Sequence, residues 1–163
     1  MTRNLSKKPQ AFCSRKKIIK KSICAPDFLN DPIDYKKSFS RGLRVDFGDL
    51  TMLFISGTAS IDKSGESCCK GGFAGQARRT FQNLTALLYS EGATWHNIAQ
   101  TRCYLKNMRD YDKFNKIRNQ FFKNKRLDPF PASVCIEANL CRPELLIEIE
   151  AIALLETGNN ASQ

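Results

Sequence analysis

The sequence predicts an α+β domain, with one six-stranded sheet and two helices on a single face of it. Two long segments repeat apolar residues at helical spacing, and the other patterned segments alternate apolar and polar residues or run apolar, as strands do. These segments follow one another as β-β-β-α-β-α-β-β, with a hairpin predicted at each end, which suits one sheet and one helical layer. The length of 163 residues and an apolar fraction of 42% suit one domain with a sizeable core and argue against a disordered chain.

Element by element, Leu43, Val45 and Phe47 alternate with Arg44 and Asp46, the period of a half-buried strand. Gly48-Asp49 predicts a tight hairpin turn. Residues 51–57 form a more fully apolar strand with a central place in the sheet, and 58–61 continue extended. Residues 63–72 read as a loop. The clearest helix is 73–91, where Ala74, Ala77, Phe81, Leu84 and Leu88 form one stripe and Gly92 is the stop residue. Residues 94–98 add a helical turn capped by Thr94. In the strand 100–106, Thr101, Cys103 and Leu105 share a face. The second helix is capped by Asp110 and turns Tyr111, Phe114, Ile117 and Phe121 inward. Pro129 and Pro131 break the chain. Across 132–139, Ala132, Val134, Ile136 and Ala138 face one way, and Ser133, Cys135, Glu137 and Asn139 the other. That second face holds one charge, and it is the face expected to be covered by neighbouring subunits. The last strand is 145–155.

The net charge of +10 is placed unevenly. Residues 1–24 hold eight Lys and Arg and no acidic residue, so the rest of the chain carries +2. The predicted organisation is a basic arm over 1–25, a linker over 26–40, the domain over 41–156 and a polar tail over 157–163. Such an arm suits solvent, an acidic partner, a nucleic acid, an anionic membrane surface or an organellar targeting role. No apolar run has the roughly 18–20 residues that span a bilayer. The seven cysteines are odd in number and irregular in spacing, which reads as free thiols in a reducing compartment, and the expected location is cytoplasmic.

Chemistry-bearing residues are few. Glu148 and Glu150 stand two apart on a strand and share a face. A cleft there would raise a carboxyl pKa and fit it for proton transfer, whereas a wet face would leave both solvated. Cys141 precedes Arg142, a neighbour that favours thiolate. Cys68-Cys69 is not a ligand pair at zinc spacing, so no metal is expected. His96 is the only histidine, and nothing pairs it with a nucleophile. Gly71-Gly72 lacks the Gly-Lys-Ser/Thr ending of a phosphate loop. No cofactor is implied.

The stretches Phe130-Pro131-Ala132-Ser133-Val134-Cys135-Ile136-Glu137 and Pro143-Glu144-Leu145-Leu146-Ile147-Glu148-Ile149-Glu150-Ala151-Ile152-Ala153 resemble the C-terminal signature of the Rid/YjgF (endoribonuclease L-PSP-like) family. Ile55-Ser56-Gly57, Gln76-Ala77-Arg78 and Asn83-Leu84 extend the resemblance over residues 40–156. It implies a chorismate-mutase-like (YjgF) fold, a homotrimer, and small-molecule pockets at the subunit interfaces. The family's best-known activity hydrolyses 2-imino and enamino acids. It uses an arginine two residues after the signature proline to hold a carboxylate. Here that proline is Pro131 and the position holds Ser133, so imine deamination is not expected. Glu148 matches the family's water-activating carboxylate, and Cys135 its cysteine.

Ser40-Arg41-Gly42, residues 55–61 and residues 136–148 also resemble the C-terminal half of chorismatases, which remove pyruvate from chorismate. That resemblance implies Glu148 as the acid on an enolpyruvyl group, Cys141 as the cysteine of the hydroxybenzoate-forming type, and Arg142 as its basic neighbour. The function implied is a trimeric lyase or hydrolase of a small enolpyruvyl or enamine carboxylate. Glu148 and Cys141 are the catalytic candidates, Arg142 the carboxylate anchor, and Ser56, Gly57, Ser133 and Cys135 the pocket lining. A non-catalytic ligand-binding or regulatory trimer is the alternative, and nucleic-acid binding through the arm a lesser one.

Overall fold

A computed structural model describes residues 17–156. Six strands, β1 (Ile19–Ile23), β2 (Gly42–Phe47), β3 (Leu50–Ala59), β4 (Ile98–Leu105), β5 (Ala132–Glu137) and β6 (Ile147–Glu156), form one sheet in the order β1-β2-β3-β6-β4-β5. Two helices, α1 (Phe73–Tyr89) and α2 (Tyr111–Lys125), cover one face of it. This is the α+β architecture expected. Among the described residues, no helix is long and apolar enough to cross a membrane.

The first hairpin forms as expected. Phe47 pairs with Leu50 across a two-residue turn, and Gly48 there takes φ 67, a left-handed conformation that glycine adopts without steric cost. Three features of the topology differ from expectation. The third strand of the expected β-β-β opening, drawn from residues 58–61, is not separate: β3 continues extended to Ala59 through a bulge between Ile55 and Thr58. The sixth strand is β1, within the stretch read as basic arm, and it pairs antiparallel with β2. Its lysines hid it, since Ile19 to Ser22 are exposed and only Ile23 is buried. Lastly, β5 and β6 form no hairpin. The strand β5 runs parallel to β4 through the α2 crossover, and β6 inserts antiparallel between β3 and β4.

The core lies between sheet and helices. Ala77, Phe81, Leu84 and Leu88 of the predicted stripe are buried, together with Leu87 and Phe73, against Leu53, Ile55, Ile147 and Ile149. Each large side chain of this kind contributes roughly 1.5–3 kcal/mol by leaving water. The stripe is wider than expected and partly polar, because Gln76, Thr80 and Asn83 are buried and Ala74 is only half-buried. Phe81 stacks on Phe121 at 4.6 Å between centroids, with Trp95 edge-on at 5.6 Å. Thr94 caps the short turn at Trp95–Asn97 as expected.

At the second helix, Asp110 makes no capping hydrogen bond. Asn107 caps the preceding turn instead. Phe114 and Phe122 are the buried residues of α2, while Tyr111 stays exposed. The strand β5 stops at Glu137, whose carboxylate accepts from the Met108 N–H at 2.7 Å.

The faces of β5 are the reverse of the expectation. Cys135 pairs with buried Cys103, and Ser133 with buried Thr101, so Ser133 and Cys135 face the helices. The uncovered side carries Val134 and Ile136, continued by Phe54 and Leu154, all exposed. Periodicity separates two faces but cannot say which one the helices take, and β5 is an edge strand whose two faces differ little in polarity.

Candidate active site

The strand β6 alternates buried Ile147, Ile149, Ala151 and Ala153 with half-buried Glu148 and Glu150, so both carboxyls lie on the face away from the helices. Their settings differ. The Glu150 carboxylate accepts from Tyr104 Oη at 3.1 Å and pairs with Arg102 at 3.3 Å. Among the described residues, Glu148 has no such cation. Burial, then the charge of Glu150, pushes its carboxyl above the usual range.

The Glu148 carboxyl lies against Gly57. A Cβ at position 57 would stand 1.8 Å from Glu148 Oε1, so only glycine admits the carboxyl there. The bulge at Ile55/Thr58 sets this backbone out of regular pleat. Ser56 fixes it further. Its N–H donates to the Arg41 carbonyl at 3.1 Å and its hydroxyl to the Ser40 carbonyl at 2.8 Å.

A cleft of about 620 Å³ opens over these residues, with Cys141, Arg142 and buried Arg41 in its wall. Five of the seven residues singled out in the sequence, Ser56, Gly57, Cys141, Arg142 and Glu148, thus meet in one cavity. Ser133 and Cys135 do not. They lie under α2, where burial pushes the Cys135 thiol upward. Arg142 is partly engaged by its own chain, since Nη1 donates to the Gly65 carbonyl at 2.7 Å and to Ser67 Oγ at 3.2 Å. Cys141 is exposed.

Other residues that build the cleft received no role from the sequence. Arg41 donates from Nε and Nη2 to Asn30 at 2.9 Å each and lies over the Phe39 ring. Buried Gln76 clamps the chain leading into β6: its Nε2 donates to the Glu144 carbonyl and its Oε1 accepts from the Leu146 N–H, both at 2.8 Å. Asn83 donates to the carbonyls of Ala59 and Ile61, holding the end of β3. All three belong to the quoted motifs, but nothing in an isolated sequence says which polar residue of a helix turns inward. Among the described residues, no group of three or more His, Cys, Asp or Glu side chains could hold a metal, and the six described cysteines are unpaired by disulfides.

The endoribonuclease L-PSP family model matches residues 31–155. A RutC family protein of Pyrococcus horikoshii is 34% identical over 104 residues, covering 64% of this chain and 79% of that protein. The human 2-iminobutanoate/2-iminopropanoate deaminase is 29% identical over 102 residues, covering 63% of this chain and 72% of that one. The crystal structure of the YjgF gene product of E. coli superposes with a TM-score of 0.67 at 26% identity, over 82% of this chain and 97% of that one. With the matched model spanning the whole sheet from β2 to β6 and both helices, this chain belongs to the endoribonuclease L-PSP, or Rid/YjgF, family.

Proposed function

We propose that this protein is a small-molecule enzyme that acts on a small carboxylate of the enolpyruvyl or enamine type, as a lyase or hydrolase. The observation that carries the reading is the Glu148 carboxyl, laid over Gly57 inside a cleft and pushed toward its protonated form. A protonated carboxyl at that place donates to the methylene carbon of an enol ether or enamine. The cation so formed is captured by water and the water's proton passes to the Glu148 carboxylate; Glu148 then gives that proton to the departing ether oxygen or amine and takes the adduct's hydroxyl proton as the carbonyl forms. Arg142, with Arg41 beside it in the cleft wall, supplies positive charge for the substrate carboxylate. Cys141 lines the same cleft.

Relatives named as imine and aminoacrylate deaminases support chemistry at a carbon–nitrogen or enol bond. The serine at position 133 argues against the deaminase reaction itself. We further propose that subunits assemble through the uncovered sheet face, where Phe54, Leu154, Val134 and Ile136 are exposed, since apolar area of that kind is covered in stable assemblies. The family resemblance supports a homotrimer as that assembly.

A second reading, a non-catalytic ligand-binding trimer, is favoured by the hydrogen bonds that already engage Arg142. A thermal-shift screen with chorismate, 3-hydroxybenzoate, pyruvate and 2-ketobutyrate, followed by product analysis, separates the two. Stabilisation with turnover is the expected result. Stabilisation with the ligand recovered unchanged gives the binding trimer.

A further inference from the structure

The two helices leave a groove between them, outside the stripe that α1 buries against the sheet. Two concavities lie end to end along it and share Gln82 and Phe121. The larger, of about 600 Å³, is lined by Ala86 and Tyr89 of α1, Lys125 of α2 and Phe28 of the chain that leaves β1. The smaller, of about 280 Å³, lies between Arg78 of α1 and Ile117 of α2. From Arg78 to Tyr89 the helix α1 rises roughly 16 Å, or three turns. Arg79 fixes the third wall. Its Nη2 donates to the Phe28 carbonyl and its Nε to the Ile61 carbonyl, both at 3.1 Å.

The groove is apolar along its length and basic at its ends. Tyr89 is 60% exposed and Phe28 44%, and Lys125 Nζ stands 5.8 Å from the centre of the Phe121 ring. Exposed aromatic residues beside a cation are what a protein interface uses as anchors. The helices carry seven Lys and Arg and a single acid, Asp112. Arg79 is tied to carbonyls, and Arg118 is turned to Ser133 and Asn115. Arg78 and Lys125 stand at opposite ends of the groove, and Asp27 is the one acid of its lining.

These features select the occupant. A second copy would bring the same basic helices, and residues 1–16 hold five Lys and Arg and no acid, so like charge disfavours both. A nucleic-acid strand, with a charge about every 3.4 Å, would meet only two cations in the groove. A helix of three or four turns matches the length, and its apolar stripe at i, i+4 and i+7 matches the aromatic walls. We infer that the groove between α1 and α2 docks an acidic amphipathic helix of a partner protein, with its apolar stripe against Phe28, Tyr89 and Phe121 and its carboxylates at Arg78 and Lys125. The groove shares no lining residue with the Glu148 cleft.

The test is fluorescence anisotropy of the full-length protein with a labelled helical peptide that has leucine at i, i+4, i+7 and i+11 and glutamate on its other face. Wild type is expected to bind it, and to bind a scrambled peptide of the same composition at least tenfold more weakly. Tyr89→Ser is expected to weaken binding about tenfold or more, as loss of an aromatic anchor does. Lys125→Glu is expected to weaken the glutamate peptide and to strengthen one with lysine in place of glutamate, a reversal that a merely structural role of Lys125 would not give. Both side chains lie at the surface, so thermal melts of the two variants should match wild type. No binding by wild type, equal binding of the scrambled peptide, or unchanged affinity in both variants overturns the inference. So does binding of a uridine oligonucleotide that both variants weaken while the peptide goes unbound.

Discussion

At the scale of single residues, the account turns on Gly57 and Glu148. A methyl group at position 57 meets only the far end of the Glu148 side chain, so Gly57→Ala is expected to fold and to displace the carboxyl. Measured turnover should fall by about tenfold or more, in keeping with the sensitivity of proton transfer to placement, while the circular dichroism melt moves little. Glu148 also makes a pH prediction. Its folded pKa is raised by burial and by Glu150, so the protonated form favours folding: that contribution is complete below the ordinary value of 4.5 and is lost as pH rises through the folded pKa. Glu148→Gln, which carries no charge to desolvate, is therefore expected to melt above wild type at neutral pH. The two melting curves should converge once the pH falls below that ordinary value.

At the scale of elements, Gln76 and Ile23 are the informative positions. Gln76 on α1 satisfies two backbone groups ahead of β6. Gln76→Ala leaves both without that partner and is expected to cost roughly 2–4 kcal/mol in denaturant unfolding. Ile23 is 1% exposed and anchors β1 to the core, with Lys21 paired to buried Glu91 at 3.5 Å beside it. Ile23→Ala is expected to cost about 2–5 kcal/mol, a loss that a merely solvated arm would not show. The two helices, the first hairpin and the strand spanned by Thr101, Cys103 and Leu105 were legible in the sequence, because local periodicity and turn chemistry decide them. The strand β1 was not, because it buries one side chain and its lysines mask the pattern. The insertion of β6 between β3 and β4 was not legible either, since it depends on long-range pairing that no local signal encodes. The same division holds for the site. Five motif residues meet at the cleft, whereas Arg118 of α2 reaches Ser133 only because the α2 crossover lays it over β5.

At the scale of the whole molecule, the proposed assembly rests on the helix-free face of the sheet. Phe54, Leu154, Val134 and Ile136 are exposed there around the Arg102–Glu150 pair. Sedimentation velocity is expected to show a trimer for wild type and a monomer for Phe54→Glu, because an unpaired charge in a buried interface is costly. The N-terminal basic residues Arg3, Lys7, Lys8, Arg15 and Lys16 lie outside the described residues. The central claim, that Glu148 acts as the acid and base of an enzyme on an enolpyruvyl or enamine carboxylate, is tested most directly by keto-acid release. Wild type and Glu148→Gln are incubated with chorismate and with an enamine-generating mixture, and pyruvate or 2-ketobutyrate is quantified. The account predicts release by wild type and a rate lower by about a hundredfold or more in the variant. Equal rates in the two proteins, or no release by a wild type that binds the acid unchanged, would contradict it.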